Sequence, residues 1–198
     1  MNLVRCTYSL KALLLLACVF LTACSVKSVH NPELTLHSSK DAALVRGHLQ
    51  HGDWLLTRGI HTADNFIATV TNTDLSHASL YDAENHEVLE SVANGVVTIS
   101  LQDLLEKSVR VMVLRPMWAS PEVSAKAVLH ARTLIGRGYN FTGLVGINMP
   151  GRYYCTQLVI AAYQPFIEDE PANRFPLVIK PGQMFHWATI VYDSGPPE

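Results

Sequence analysis

The stretch Tyr153-Tyr154-Cys155-Thr156-Gln157-Leu158-Val159 puts a thiol where a thiol can react. Apolar residues at 154, 158, 159 and 162 keep the spacing of one helical face, and Pro150-Gly151 marks a turn just before them. Cys155 therefore falls in the first turn of a helix, where unpaired backbone N–H groups and the helix dipole favour a thiolate over a thiol. A buried structural cysteine has no need of that position; a nucleophile has. A thiolate that attacks an amide, ester or thioester carbonyl gives an acyl-enzyme, so the expected chemistry is hydrolysis or acyl transfer. Such a thiol needs an imidazole beside it, and the imidazole needs a carboxylate or amide on its far nitrogen to hold one tautomer.

The rest of the chain must supply those partners. With 198 residues it is long enough for one domain with a full core and too short for two. The N-terminus is set apart: Arg5 and Lys11 flank an apolar run from Ala12 to Leu21, about the length of a signal-peptide core and too short to span a bilayer. The run ends in Leu21-Thr22-Ala23-Cys24, which resembles the bacterial lipobox, with Cys24 as the lipidated residue. Residues 1–23 are thus expected to leave as a signal peptide, 24–50 to form a lipid-anchored tether, and 51–198 to form the catalytic domain. Ser25 stands where an Asp would resemble an inner-membrane retention signal, which points to the outer membrane, facing the periplasm. Loss of Arg5 and Lys11 moves the formal net charge of −2 two units further negative, and no basic stripe remains, which argues against nucleic acid as a partner. Of four cysteines, Cys6 and Cys18 leave with the signal and Cys24 is acylated, so Cys155 is the one thiol left in an oxidising compartment. A lone thiol can also be an inert core residue; its neighbours decide between the two.

Gly52-Asp53-Trp54-Leu55-Leu56-Thr57-Arg58-Gly59 reads as a turn, a short apolar strand and another turn. Asp64 to Val70 reads as a short helix with Asn65-Phe66-Ile67 on its apolar side. Leu75 to Tyr81 is a strand by alternation, with His77, Ser79 and Tyr81 on one face and Ala78 and Leu80 on the other. Two more strands follow around Asn94-Gly95, a strong hairpin signal, giving an antiparallel meander over 75–99. The register that would set Glu90 beside His77 does not follow from the sequence. A short amphipathic helix is expected over 101–107 and a strand over 109–116. The clearest helix begins with Ser120 as N-cap and Pro121 at its first position, carries Val123, Ala127, Val128, Ala131, Leu134 and Ile135 on one stripe, and stops at Gly136 and Gly138. Residues 139–143 read as a loop, 168–173 as an acidic loop, and 185–192 as a closing strand.

Taken in order, Gly52-Asp53-Trp54-Leu55-Leu56, Ser76-His77-Ala78-Ser79-Leu80-Tyr81, Val88-Leu89-Glu90-Ser91 with Asn94-Gly95-Val96, Val113-Leu114-Arg115-Pro116, Gly138-Tyr139-Asn140, Tyr154-Cys155-Thr156-Gln157-Leu158-Val159 and Ile179-Lys180-Pro181-Gly182 resemble the permuted NlpC/P60 papain-like proteins of the YiiX/YaeF type. The resemblance implies an α+β, circularly permuted papain-like fold: an antiparallel sheet or small barrel packed against the helix that carries the nucleophile, with histidine preceding cysteine. It implies Cys155 as nucleophile, His77 as general base, Glu90 as the residue orienting the imidazole, and Tyr139, with the Cys155 backbone, at the oxyanion. The family's Cys-Ser-Glu reads Cys155-Thr156-Gln157 here, and the spacing from His77 leaves Glu87 and Asn94 as substitutes for Glu90.

Several plainer readings compete. Tyr139 could simply pack under the helix. His48, His51, His61 and His86 lack nearby cysteine or paired acidic ligands, so no metal or other cofactor is expected. Ser76 and Ser79 lack a Gly-x-Ser-x-Gly elbow, which disfavours a serine hydrolase. The expected function is a lipid-anchored cysteine hydrolase acting on amide bonds such as those of peptidoglycan peptides. The alternatives are an acyltransferase or lipid acyl hydrolase of the same fold, with an acyl-lipid substrate, and a non-catalytic envelope-binding module. Oligomeric state is left open.

Overall fold

The computed structural model describes residues 26–36, 38–168 and 174–196. The expected signal peptide, Cys24 and most of the acidic loop lie outside them. The first helix, α1 (Ser39–His48), starts at Ser38, whose hydroxyl accepts from Asp41 N–H at 3.1 Å. Then come β1 (Trp54–Gly59), α2 (Thr62–Thr71), β2 (His77–Asp82), β3 (Glu87–Val92), β4 (Gly95–Ser100), α3 (Leu101–Glu106), β5 (Ser108–Pro116) and α4 (Pro121–Thr133). The chain ends with β6 (Gly138–Tyr139), β7 (Arg152–Tyr153), α5 (Cys155–Tyr163) and β8 (Ala188–Asp193).

Six strands form one antiparallel sheet in the order β4-β3-β2-β1-β5-β8, open at both edges rather than closed into a barrel. β1 lies in its interior and every one of its residues is buried, which is why it reads as an apolar run instead of an alternation. One face of the sheet (Trp54, Leu56, Leu80, Leu114) packs on α4 and α5 through Ala127, Ala131, Val159 and Tyr163. The other (Leu55, Tyr81, Val88, Val113) packs on Val45 of α1 and on Leu101, Leu104 and Leu105. Each fully buried leucine of this kind contributes about 1.5–3 kcal/mol. The architecture is α+β, as the resemblance implies.

Three local details differ from expectation. The β3–β4 corner is Ala93-Asn94, and Gly95 takes the left-handed position after it at φ 104, with Val92 pairing to Gly95. A side chain at Gly95 would strike the carbonyl oxygen of Arg137, so that position needs glycine twice over. On α4, Leu134 is the C-cap residue and Ile135 lies beyond the helix, exposed. On α2 the buried residues are Asn65 and Ala68, while Phe66 is exposed. Asn65 is buried because its amide is fully used: Oδ1 accepts from Val29 N–H at 2.8 Å and from Arg58 at 2.7 Å, and Nδ2 donates to the Val29 carbonyl at 2.9 Å. Residues 26–36, inside the segment expected as a tether, therefore lie against the domain, and Leu36 N–H also donates to the Ser108 carbonyl at 2.9 Å.

Candidate active site

The start of α5 is held from three sides. Tyr154 occupies its N-cap with an extended backbone, and Gln157 Oε1 accepts from Tyr154 N–H at 3.2 Å. From the tail, Ile179 N–H donates to the Tyr154 hydroxyl at 2.9 Å and the Ile179 carbonyl accepts from Thr156 Oγ1 at 2.6 Å. From the sheet, Ser91 Oγ donates to the Tyr153 carbonyl at 2.7 Å, tying β3 to the residue two before the thiol. Cys155 itself is the first helical residue and is buried, free of any disulfide. The backbone N–H groups of the first turn have no partner within the helix.

His77 is the first residue of β2. The register sets Ser79 opposite Glu90, so His77 and Glu90 are diagonal neighbours on one face of the sheet. His77 Nε2 donates to Glu90 Oε2 at 2.8 Å, and the ring is close enough to Cys155 for the sulfur to raise its pKa. With Nε2 taken by Glu90, Nδ1 is the nitrogen available to the thiol. Burial opposes a charged ring, but the hydrogen bonds to Cys155 and Glu90, followed by their negative charge, outweigh it and push His77 up to about 10. Burial likewise opposes a charged Glu90, yet His77 and Lys107 hold it down to about 2. Of the substitutes left open by the sequence, Glu87 pairs with Arg132 at 2.9 Å and Asn94 sits on the exposed hairpin corner. It is Glu90 that touches His77.

Tyr139, on β6, is paired to β7 and half-buried, with its ring 4.8 Å from that of Phe141. Its phenol forms no hydrogen bond among the described residues. Burial first, then the charges of Cys155 and Tyr154, raise its pKa, so it stays a donor.

One residue of the site, Lys107, had no distinct signal in the sequence. Lys107, the C-cap of α3, donates from Nζ to Glu90 Oε1 at 2.9 Å. Gln157, which stands where the family has a carboxylate, faces away from the thiol. It accepts from Asn140 Nδ2 at 3.0 Å as well as from Tyr154 N–H, and donates to Asn148 Oδ1. An amide can both accept and donate in that way, which an ionised carboxylate cannot.

Cys155, His77 and Tyr139 open onto a groove of about 550 Å³, walled by Phe66, Ile67 and Val70 of α2 on one side and by Phe141, Leu144 and Val178 on the other. The histidines weighed for a metal are scattered: His48 stacks on Tyr192, and His51 accepts from Ala83 N–H at 3.1 Å. No group of three or more His, Cys, Asp or Glu among the described residues could hold a metal ion.

A thiol at a helix start, an imidazole on the same groove and a carboxylate bonded to the imidazole are the elements of a papain-like cysteine hydrolase. Residues 48–175 match the family described as permuted papain-like amidase enzymes, YaeF/YiiX, C92 family, and the chain belongs to that family. It is 26% identical over 147 residues to the probable lipoprotein peptidase YaeF of Escherichia coli K12, covering 73% of this chain. The chain spans about half, 50%, of that relative's length. The fold is similar to the crystal structure of metalloprotein yiiX from Escherichia coli O157:H7, with a TM-score of 0.61, 21% identity, and coverage of 75% of this chain and 99% of that one. The metal in that description is a property of that protein.

Proposed function

We propose that this chain is a lipid-anchored cysteine hydrolase that cleaves amide bonds through an acyl-enzyme on Cys155. The observation that carries the reading is the single imidazole that is hydrogen-bonded to Glu90 and shares one groove with Cys155 at the start of α5. In the first step the Cys155 sulfur attacks the carbonyl carbon, and the C=O electron pair moves onto oxygen. The Cys155 N–H and the Tyr139 hydroxyl are the donors for that oxyanion, and a donor of this kind is worth about 3 kcal/mol in other enzymes. His77, protonated at neutral pH, gives its proton to the departing nitrogen as the C–N bond breaks. Neutral His77 then takes a proton from water, whose oxygen attacks the thioester, and the acid leaves with regeneration of the thiol–imidazole pair. Glu90 stays ionised throughout and holds the ring.

The family's amidase character and the peptidase name of the YaeF relative support a peptide or amide substrate, with peptidoglycan stem peptides as the first candidate. The lipobox-like Leu21-Thr22-Ala23-Cys24 and the relative's lipoprotein name support anchoring through Cys24 at the outer membrane, facing the periplasm. The apolar groove favours an acyl-lipid amide or ester as the second substrate class.

The deciding experiment is the pH dependence of iodoacetamide alkylation at Cys155, read peptide by peptide by mass spectrometry, with His77→Ala alongside. A plateau well below pH 8 that collapses in the variant supports the pair. A slow thiol titrating near its ordinary value of about 8.5, indifferent to the substitution, rules the reading out.

A further inference from the structure

The mouth of the groove is apolar on its outside as well as its inside. Phe66 and Val70 on α2, Phe141, Val145 and Ile147 beyond β6, and Leu177 on the late segment are each between 54 and 76% exposed. They are not scattered. Gly146, at φ 82, lies directly beneath Leu177, which joins the 141–147 turn to the 177–178 segment as one lip, and α2 forms the other lip across the groove. A contiguous apolar surface of this kind on a protein marks a site of association.

What covers it is indicated by charge and by the path of the chain. Residues 140–152 and 174–180 contain Arg152, Arg174 and Lys180 and no acidic residue, in a chain whose formal net charge is −2. Lys180 lines the groove, and Arg152 and Arg174 lie in or beside the two segments that make this lip, cations that suit a layer of anionic lipid headgroups. Second, the N-terminal segment is fastened to α2 itself: Arg58 donates to the Lys27 carbonyl at 3.0 Å and to Asn65, and Val29 pairs with Asn65. Cys24 is two residues before Val26, a reach of about 7 Å of extended chain. Val29, the residue that pairs with α2, is five residues after Cys24, so an anchor there would hold the protein within about 18 Å of the helix that forms one lip of the groove. Acyl chains hold a protein at a bilayer but fix no orientation; an apolar face next to them does.

We infer that the rim of the Cys155 groove is a lipid-docking face, laid on the bilayer so that the groove opens at the headgroup level; the anchor part of the argument rests on the lipoprotein reading of Cys24. The substrate bond then reaches the thiol from the membrane surface and not from bulk water.

The test uses the full chain reconstituted in vesicles of phosphatidylethanolamine and phosphatidylglycerol, with brominated acyl chains as the quencher. Val145→Trp is compared with Leu129→Trp, an equally exposed position on α4, and both with the parent protein to remove the signal of Trp54, Trp118 and Trp187. Quenching at position 145 should exceed that at 129 at least about twofold, and Phe66→Asp with Val145→Asp should abolish the orientation while the circular dichroism spectrum is unchanged. Equal quenching at 145 and 129 overturns the docking face, whether or not mass spectrometry finds acyl groups on Cys24. Excess quenching at 145 without acyl groups on Cys24 keeps the face and overturns the anchor. A concentration-dependent dimer that Val145→Asp breaks would assign the face to a second copy of this chain and overturn the lipid.

Discussion

Glu90 divides its two carboxylate oxygens between two cations: Oε2 takes His77 at 2.8 Å and Oε1 takes Lys107 at 2.9 Å. The carboxylate is buried and has no rotational freedom left, so the imidazole behind which it sits is fixed in plane and in tautomer. Lys107→Ala should lower kcat by about tenfold, the scale of an outer residue that orients an active group, with KM nearly unchanged. It should also move the acidic limb of the rate profile upward, because Glu90 loses one of the two cations that hold its pKa down. Lys107→Arg should restore most of the rate. A loss of folding without these kinetic signs would make Lys107 merely structural.

The two shifted groups predict opposite pH limits for stability. His77 is raised from 6.5 to about 10, so its contribution is fully present below pH 6.5 and is lost as pH rises through about 10. Glu90 is lowered from 4.5 to about 2, so its contribution is present above pH 4.5 and is lost as pH falls towards 2. Denaturant midpoints measured from pH 3 to 10.5 should fall at both ends, and Cys155→Ser should weaken the alkaline loss, since the sulfur is one cause of the raised His77. Imidazole nitrogen shifts by NMR would read the same change directly.

Cys155→Ser should otherwise fold as the parent does, within about 0.5 kcal/mol, because the change in volume is small and a helix start tolerates a hydroxyl. Alkylation and turnover should both vanish. A large loss of thermal stability would favour a buried structural cysteine.

Gln157→Glu would restore the family's residue and should be costly here. A carboxylate keeps the bonds from Tyr154 N–H and Asn140 but has no proton to give Asn148 Oδ1, an exposed bond whose loss costs about 0.5–1.5 kcal/mol. Pairing it with Asn148→Lys should recover part of that loss, which thermal denaturation of the two variants would show.

Tyr139→Phe should leave stability within about 0.5 kcal/mol, since the phenol has no hydrogen bond among the described residues to lose. Turnover should fall about 10²-fold if the hydroxyl serves the oxyanion. Unchanged single-turnover rates would return Tyr139 to a packing role beside Phe141.

The helix carrying Cys155 was legible in the sequence because its signals are local: an apolar stripe, a preceding turn, and a thiol at the first position. The strands of the six-stranded sheet were legible for the same reason, whereas β6 and β7, two residues each, carry no period. What was not legible depends on contacts far along the chain. Glu90 reaches His77 only because the 83–86 turn sets Ser79 opposite Glu90, and turn geometry gives no period to read. The buried face of α2 departs from its apolar pattern because Asn65 is buried by residues 27–29, which no helical pattern can announce. Lys107 ends one element and precedes another, and its partner lies 17 residues away, so it looks like any surface lysine. Phe66, expected inside, is outside because it belongs to the groove.

The clamp that Ile179 places on Tyr154 and Thr156 has a consequence for timing. A chain that emerges with its N-terminus first presents His77 and Glu90 early and the thiol later, but the loop that seats the thiol arrives last of all. Until then Cys155 lacks its seat, and the nascent polypeptide travels with its reactive centre unassembled. Late completion of this kind makes an assembled reactive centre the last property that the folding chain acquires.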